Sequence, residues 1–337
     1  MSQNSISESR NKDFGISGTT STGATGGSFH ATMHPEPEAL VAPENPYTKK
    51  YDTVKAKVEA LRAELDNGVA NLSSDAEWHE FMDTMSKFHR YSMNNQLLIH
   101  LQCPEATHVA GFNKWKKDFS RQVMKGQKAI AIIAPMTRTK TDPNGAPVLG
   151  PTGKPVKEMC GWTSTSVFDI SQTEGKDLPS DLQSFSEEPP AGFAEDLTAL
   201  IEAEGFTVNY EEIKGGAHGF TRPSDKTVVI DTSHSAGSQA KTLAHELGHI
   251  KAGHLDRTGE YHQGAGGCRG EMEVEAESIA YVLCRANGMS TEITRSSSTY
   301  LDSWSRKDTE SITRTAKNVS TTVKALLETG KFRNVDA

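Results

Sequence analysis

Apolar residues recur along much of the chain at helical or strand spacing, and these periods lay out two successive structural segments. Val54, Val58, Leu61 and Leu65 lie four, three and four apart, one face of an amphipathic helix, and Asp66-Asn67-Gly68 is expected to end it. Ser74 followed by Glu77 has the form of a capping box, and Trp78, Phe81, Met82 and Met85 mark the inner face of the helix behind it. A third helix is expected over Met93 to Leu101. Ala129 to Ala134 (AIAIIA) and Trp162 to Ile170 read as strands, separated by a Gly/Pro/Lys loop.

Leu178 to Pro190 contains Pro179, Pro189 and Pro190 among polar residues and reads as a linker. Beyond it the pattern predicts a helix from Phe193 to Glu204, a strand from Phe206 to Tyr210 and a hairpin whose second arm is Thr227 to Asp231. A helix over about Gly237 to Ala252 turns Ala240, Leu243, Ala244 and Leu247 inward and stops at Gly253. After a glycine-rich loop (Gly264 to Gly267), a further helix has Met272, Ala276, Ile279, Ala280 and Leu283 on its apolar face. Residues 1 to 45 lack an apolar period and are rich in Ser, Thr and Gly, so a disordered tail is expected. The expected class is α+β in two domains. An α+β segment covers 46–178, a linker covers 179–190, and a mainly helical segment with a small sheet covers 191–337.

A length of 337 residues suits two domains of ordinary size. No apolar run reaches the roughly 18 residues of a membrane span, and no basic-then-apolar leader opens the chain, so no membrane partner and a cytoplasmic location are expected. Four scattered cysteines, none in a CxxC pair, fit a reducing compartment. The net charge of -8 argues against uniform nucleic-acid binding, but His108 to Lys140 holds eight basic residues against the single acid Asp118, a local balance of +7. Lys114, Lys116, Lys117, Arg121, Lys125 and Lys128 can track a phosphate backbone, with Phe112 and Trp115 offering bases a stacking surface and Asn94, Asn95 and Gln96 adding hydrogen bonds. The competing reading makes Phe112, Trp115 and Phe119 the core face of a helix.

His245-Glu246-Leu247-Gly248-His249 is the most specific signal. Histidines four apart on a helix lie about 40° apart around its axis, so both imidazoles can reach one ion. Glu246 then falls beside an ion-bound water, as general base and not as ligand. Glu273 and Glu277 are one turn apart on the later helix. Glu273 can supply the third ligand of a zinc site and Glu277 can orient a histidine, although Glu275 or Glu277 as ligand, or a merely solvated acidic face, remain open. His254 and His262 are expected to be exposed loop residues unless recruited as ligands or oxyanion donors. Tyr281 or Tyr300 is a candidate for stabilising a tetrahedral intermediate.

TLAHELGHIKAGH followed by EMEVEAESIAYVL resembles the ImmA/IrrE group of zinc metallopeptidases over 191 to about 290. That resemblance implies a gluzincin-like fold acting on a regulatory protein, with Zn2+ held by His245, His249 and Glu273 and with Glu246 as base. Ser92 to Ile99 (SMNNQLLI), Ala110-Gly111-Phe112, Trp115, Lys125 to Lys128 (KGQK) and VFDISQTEG at 167–175 resemble the N-terminal single-stranded-DNA-binding domain of ArdC antirestriction proteins. ArdC proteins join such a domain to a metallopeptidase-like one. The ExEA helix here is nearer to ImmA than to the ExxxAE pattern of many ArdC proteins. Two functions follow as expectations: protection of entering DNA by a mobile-element protein that binds single strands, or cleavage of a repressor by a protease that DNA only localises.

Overall fold

Burial of the apolar face outweighs local turn chemistry from the first helix onward. The computed structural model describes residues 45–178, 186–260, 269–290, 308–329 and Phe332. The expected tail to residue 44, His262, Tyr300, the loop 264–267 and most of the linker lie outside them. Helix α1 (Val54–Asn71) runs through Asp66-Asn67-Gly68 instead of ending there. Val69 continues the buried row of Leu61 and Leu65, and this contact with the core overrides the weak helix propensity of the triplet. Helix α2 (Asp75–Lys87) is capped as its sequence suggests, Glu77 N donating to Ser74 Oγ at 3.3 Å and Ser74 Oγ donating to the Glu77 carboxylate at 2.7 Å. Helix α3 spans Met93–Gln102.

Strand β1 (Val109–Ala110) pairs with β4 (Lys157–Asp169), which pairs with β3 (Ile130–Thr139) in one antiparallel sheet. Helix α4 (Phe112–Asp118) leads to β2 (Arg121–Val123), which pairs with β5 (Thr173–Gly175). The free edge of β3 is closed by side chains. Asn95 Nδ2 donates to Ile133 O at 2.8 Å and Asn95 Oδ1 accepts from Ile133 N at 3.0 Å, while Gln102 exchanges the same two bonds with Ala131 at 2.9 and 2.8 Å. Two amides seven residues apart on a helix thus stand in for an adjacent strand.

The second half opens with α5 (Phe193–Ala203), then β6 (Thr207–Glu211), β7 (Gly219–Arg222) and β8 (Thr227–Asp231) in the order β6-β8-β7. Strand β8 is central, parallel to β6 and antiparallel to β7, and all five of its residues are buried. Helix α6 (Ala236–Lys251) follows, then a 3-10 turn (His254–Glu260), α7 (Arg269–Ala286) and α8 (Thr309–Leu327). No helix among the described residues is long and apolar enough to cross a membrane.

The architecture is α+β, with an α+β first half and a mainly helical second half, but the two halves share one hydrophobic core. It runs from Leu61 and Trp78 through Ile132 and Leu243 to Ile279 and Val323. Polar bonds stitch the same seam. Trp78 Nε1 donates to Ser278 Oγ at 3.0 Å, and Asp83 accepts from Tyr281 Oη at 3.0 Å and Arg285 Nε at 2.9 Å.

Helices α6 and α7 cross where neither has a bulky side chain: a Cβ on Gly248 would meet Ala276 O at 2.9 Å and Ala276 Cα at 3.1 Å. Those are backbone atoms and cannot rotate away. Gly248→Ala is expected to lower stability by about 1–3 kcal/mol, as overpacking does, read as a lower urea midpoint with unchanged slope. Parental stability would show that the two helices separate there without cost.

Candidate metal centre

Four helical residues face one another across the α6–α7 crossing. His245 and His249 sit one turn apart on α6, and Glu273 and Glu277 one turn apart on α7. His245 Nε2 and His249 Nε2 are 3.0 Å apart, and Glu273 Oε2 lies 3.5 Å from the first and 3.8 Å from the second. These three form the one group of possible metal-ligating side chains found among the described residues. Tetrahedral bonds of about 2.0–2.1 Å place neighbouring donors about 3.3–3.4 Å apart. The three edges straddle that value, so the triangle fits a divalent ion. His245, His249 and Glu273 therefore come together as the sequence suggests, while Glu275 and Glu277 stand outside the triangle.

Glu277 instead accepts from His245 Nδ1 at 3.0 Å, and its other oxygen pairs with Lys241 Nζ at 2.6 Å. Its carboxyl is held down at about 2: burial opposes ionisation, but the bond to His245 and the Lys241 ammonium outweigh it. Glu246 is buried beside the triangle and accepts from Thr221 Oγ1 at 2.6 Å. Burial raises its pKa, with His245 and the Thr221 bond acting the other way. Thr221 lies on edge strand β7, which comes close to α6 because Gly219 has no side chain: a Cβ there would meet Thr242 Cγ2 at 2.6 Å. Thr221 could not be found from sequence, since nothing local ties an isolated threonine to a helix 25 residues away.

The alternate glutamates of α7 serve two neighbours. Glu273 and Glu277 face α6, whereas Glu271 binds Arg314 at 2.7 Å and Glu275 Oε1 accepts from Asn318 Nδ2 at 2.9 Å, both partners on α8. His254 is a correction, being buried and not an exposed loop residue. Its Nδ1 lies 2.9 Å from His249 Nδ1, and its Nε2 lies 3.0 Å from Glu275 Oε2. Tyr281 is also removed from the ion-binding triangle, since it is buried against α2 with its hydroxyl on Asp83.

The basic region divides in the same way. Lys114, Lys116, Lys117, Lys125, Lys128 and Asn94 are exposed, and so is Phe112, at 51%. Trp115 is 1% exposed, with its indole N–H on Phe168 O at 2.8 Å, so its ring belongs to a small core with Ala110 and Val123 and offers bases no surface. Gln96 is 1% exposed, donating to Phe88 O at 3.0 Å and accepting from Ser320 Oγ at 2.9 Å, and Asn95 is spent on β3. Arg121 fastens β2 to β5 through Thr173 and Lys176 O. Four α-helical or strand positions expected at a surface, Trp115, Gln96, Asn95 and Arg121, are thus consumed by packing or strand pairing. Trp162 on β4 is 43% exposed, an aromatic ring at the surface that strand patterning alone does not mark.

Residues 45–166 match the family model of the N-terminal domain of anti-restriction factor ArdC, and residues 201–301 match that of the IrrE N-terminal-like domain. The chain thus matches both domain models, one in each half, in the order its motifs imply. Two solved structures are similar, both of antirestriction protein ArdC from plasmid R388. The metal-free one is 22% identical, covering 72% of this chain and 87% of that one at a TM-score of 0.45. The Mn(II)-bound one is 20% identical, covering 73% and 86% at 0.44. No curated protein matches.

Without an ion, Glu273 and Glu277 hold a proton on His245. Burial opposes the charged ring, but the two carboxylates win and raise its pKa to about 10. An entering ion must displace that proton, so below pH 10 metal affinity is expected to rise about tenfold per pH unit. Competition titrations against a chelator at pH 7.5, 8.0 and 8.5 check this. A histidine of ordinary pKa would give a flat profile over that range.

Proposed function

We propose that this chain is a single-stranded-DNA-binding, antirestriction-like protein of a mobile element whose second half carries a zinc-dependent peptidase site acting on a protein partner. The observation that carries the enzymatic half is the donor triangle of His245, His249 and Glu273 with the buried Glu246 carboxylate beside it. Two imidazoles and one carboxylate are the catalytic zinc donor set, which keeps a position open for water. When bound, zinc supplies Lewis-acid polarisation and a water of lowered pKa. Glu246, its pKa raised by burial, stands beside the donor triangle as the group that would accept a proton and return it to a leaving amine. Thr221 holds one Glu246 oxygen, leaving the other for the proton. Glu277, anchored by Lys241, fixes the His245 ring so that Nε2 faces His249 and Glu273.

Binding of DNA rests on Lys114, Lys116, Lys117, Lys125 and Lys128, all exposed on one half, with Phe112 and Trp162 as its exposed aromatic rings of stacking size. Such binding is sequence-tolerant and salt-sensitive. The match of 201–301 to an IrrE-type domain favours a second reading, a regulatory protease cleaving a repressor that DNA binding merely localises.

Glu246→Gln separates the two. It is expected to keep about one zinc per chain and parental affinity for a single-stranded oligonucleotide while abolishing peptide-bond cleavage. If the variant still protects incoming DNA from restriction, protection is a matter of binding alone. Loss of protection with DNA affinity intact makes cleavage the working step. In the same assay, Lys114→Ala combined with Lys116→Ala and Lys117→Ala is expected to weaken binding and lower the slope of log affinity against log salt by about two, from the loss of three phosphate contacts at about 0.7 each. An unchanged slope would exclude these lysines.

A further inference from the structure

We propose that His254, Glu275 and Asn318 form a buried relay that fixes His249 as a ligand and makes metal affinity depend on helix α8, which lies beyond the stretch matching the IrrE-like domain. The inference rests on the reading of His249 as a metal ligand.

The proton positions of the chain are determined from one end. With Nε2 of His249 in the donor triangle committed to an ion, its Nδ1 must carry the hydrogen. His254 Nδ1 lies 2.9 Å from that nitrogen, so Nδ1 of His254 is the acceptor of the N–H and its own hydrogen sits on Nε2. That N–H points at Glu275 Oε2, 3.0 Å away, and the carboxylate's other oxygen accepts from Asn318 Nδ2 at 2.9 Å. Each link has one donor and one acceptor, with no proton left over and none missing. His254 and Glu275 are both buried, so neither has water as a substitute partner.

The two ligand histidines are therefore oriented by different means. His245 meets a carboxylate directly, and Lys241 balances that carboxylate. His249 reaches its carboxylate through an interposed imidazole, and α8 completes the shell. Outer-shell partners of ligand histidines are worth about 10–100-fold in metal affinity.

The test measures zinc affinity of the full chain by competition with a chromophoric chelator, together with the melting temperature of the chelator-treated protein. His254→Ala is expected to weaken zinc about 10–100-fold, and His254→Gln, whose amide oxygen can accept from His249 Nδ1, to recover part of that loss. Asn318→Ala, at the far end and clear of the ion, is expected to weaken it about threefold or more, and keeps the test available should His254→Ala not fold. Nitrogen-15 spectra of the zinc-loaded protein should show His249 protonated at Nδ1 and His254 at Nε2. Folded His254→Gln and Asn318→Ala variants that bind zinc as tightly as the parent, with only the melting temperature lowered, would reduce the chain to packing and overturn the proposal. A parent chain that binds no zinc would instead overturn the ligand assignment beneath it.

Discussion

The approach of α6 to α7 at Gly248 and Ala276 is the constraint on which the site depends. A single methyl group more than Gly248 carries would strike backbone atoms of Ala276, so the helices pack backbone to backbone here. That contact brings His245 and His249 opposite Glu273 and Glu277, one turn against one turn. It also leaves the rest of the α7 surface for other neighbours. Ser278, Tyr281 and Arg285 engage α2, and Glu271 and Glu275 engage α8. One helix thereby joins the chemistry, the seam between the two halves and the C-terminal element.

Such a concentration of carboxylates in an apolar setting is unfavourable unless each is answered. Glu277 has Lys241 and His245, Glu275 has His254 and Asn318, and Glu246 has Thr221. The rise of the His245 pKa to about 10 expresses the remaining demand of this cluster for positive charge, burial notwithstanding. A divalent ion answers that demand better than a proton, and the surrounding bonds hold the donors in place before it arrives.

What was legible in the sequence is what local periodicity encodes. The α6 motif, its stop at Gly253 and the buried face of α7 follow from helical spacing, and their residues lie where that spacing puts them. Spacing of four on α7 likewise paired Glu273 with Glu277. A side chain whose fate depends on a distant segment lies beyond the reach of that periodicity. Gln96 is buried because Ser320, 224 residues later, meets it, and Trp115 because Phe168 receives its indole N–H. The shared core is likewise out of local reach, since a Pro-rich stretch in the chain says nothing about whether apolar faces on either side of it merge. His254 follows Gly253 in what reads as a loop, and only the fold supplies His249 and Glu275 around it.

The amide clasp of Asn95 and Gln102 on β3 has a consequence for the molecule's behaviour among its own copies. Residues 130–133 (IAII) are apolar and strand-forming, the type of segment that recruits further strands when its edge is open. Chains usually guard such an edge with charge, proline or a bulge. Here the guard is α3, which supplies four hydrogen bonds at alternate residues and leaves an incoming strand nothing to pair with at Ala131 and Ile133. Protection against cross-β assembly is therefore contingent on a helix being docked, and a chain newly made or transiently opened carries this strand-forming segment uncovered until α3 is in place.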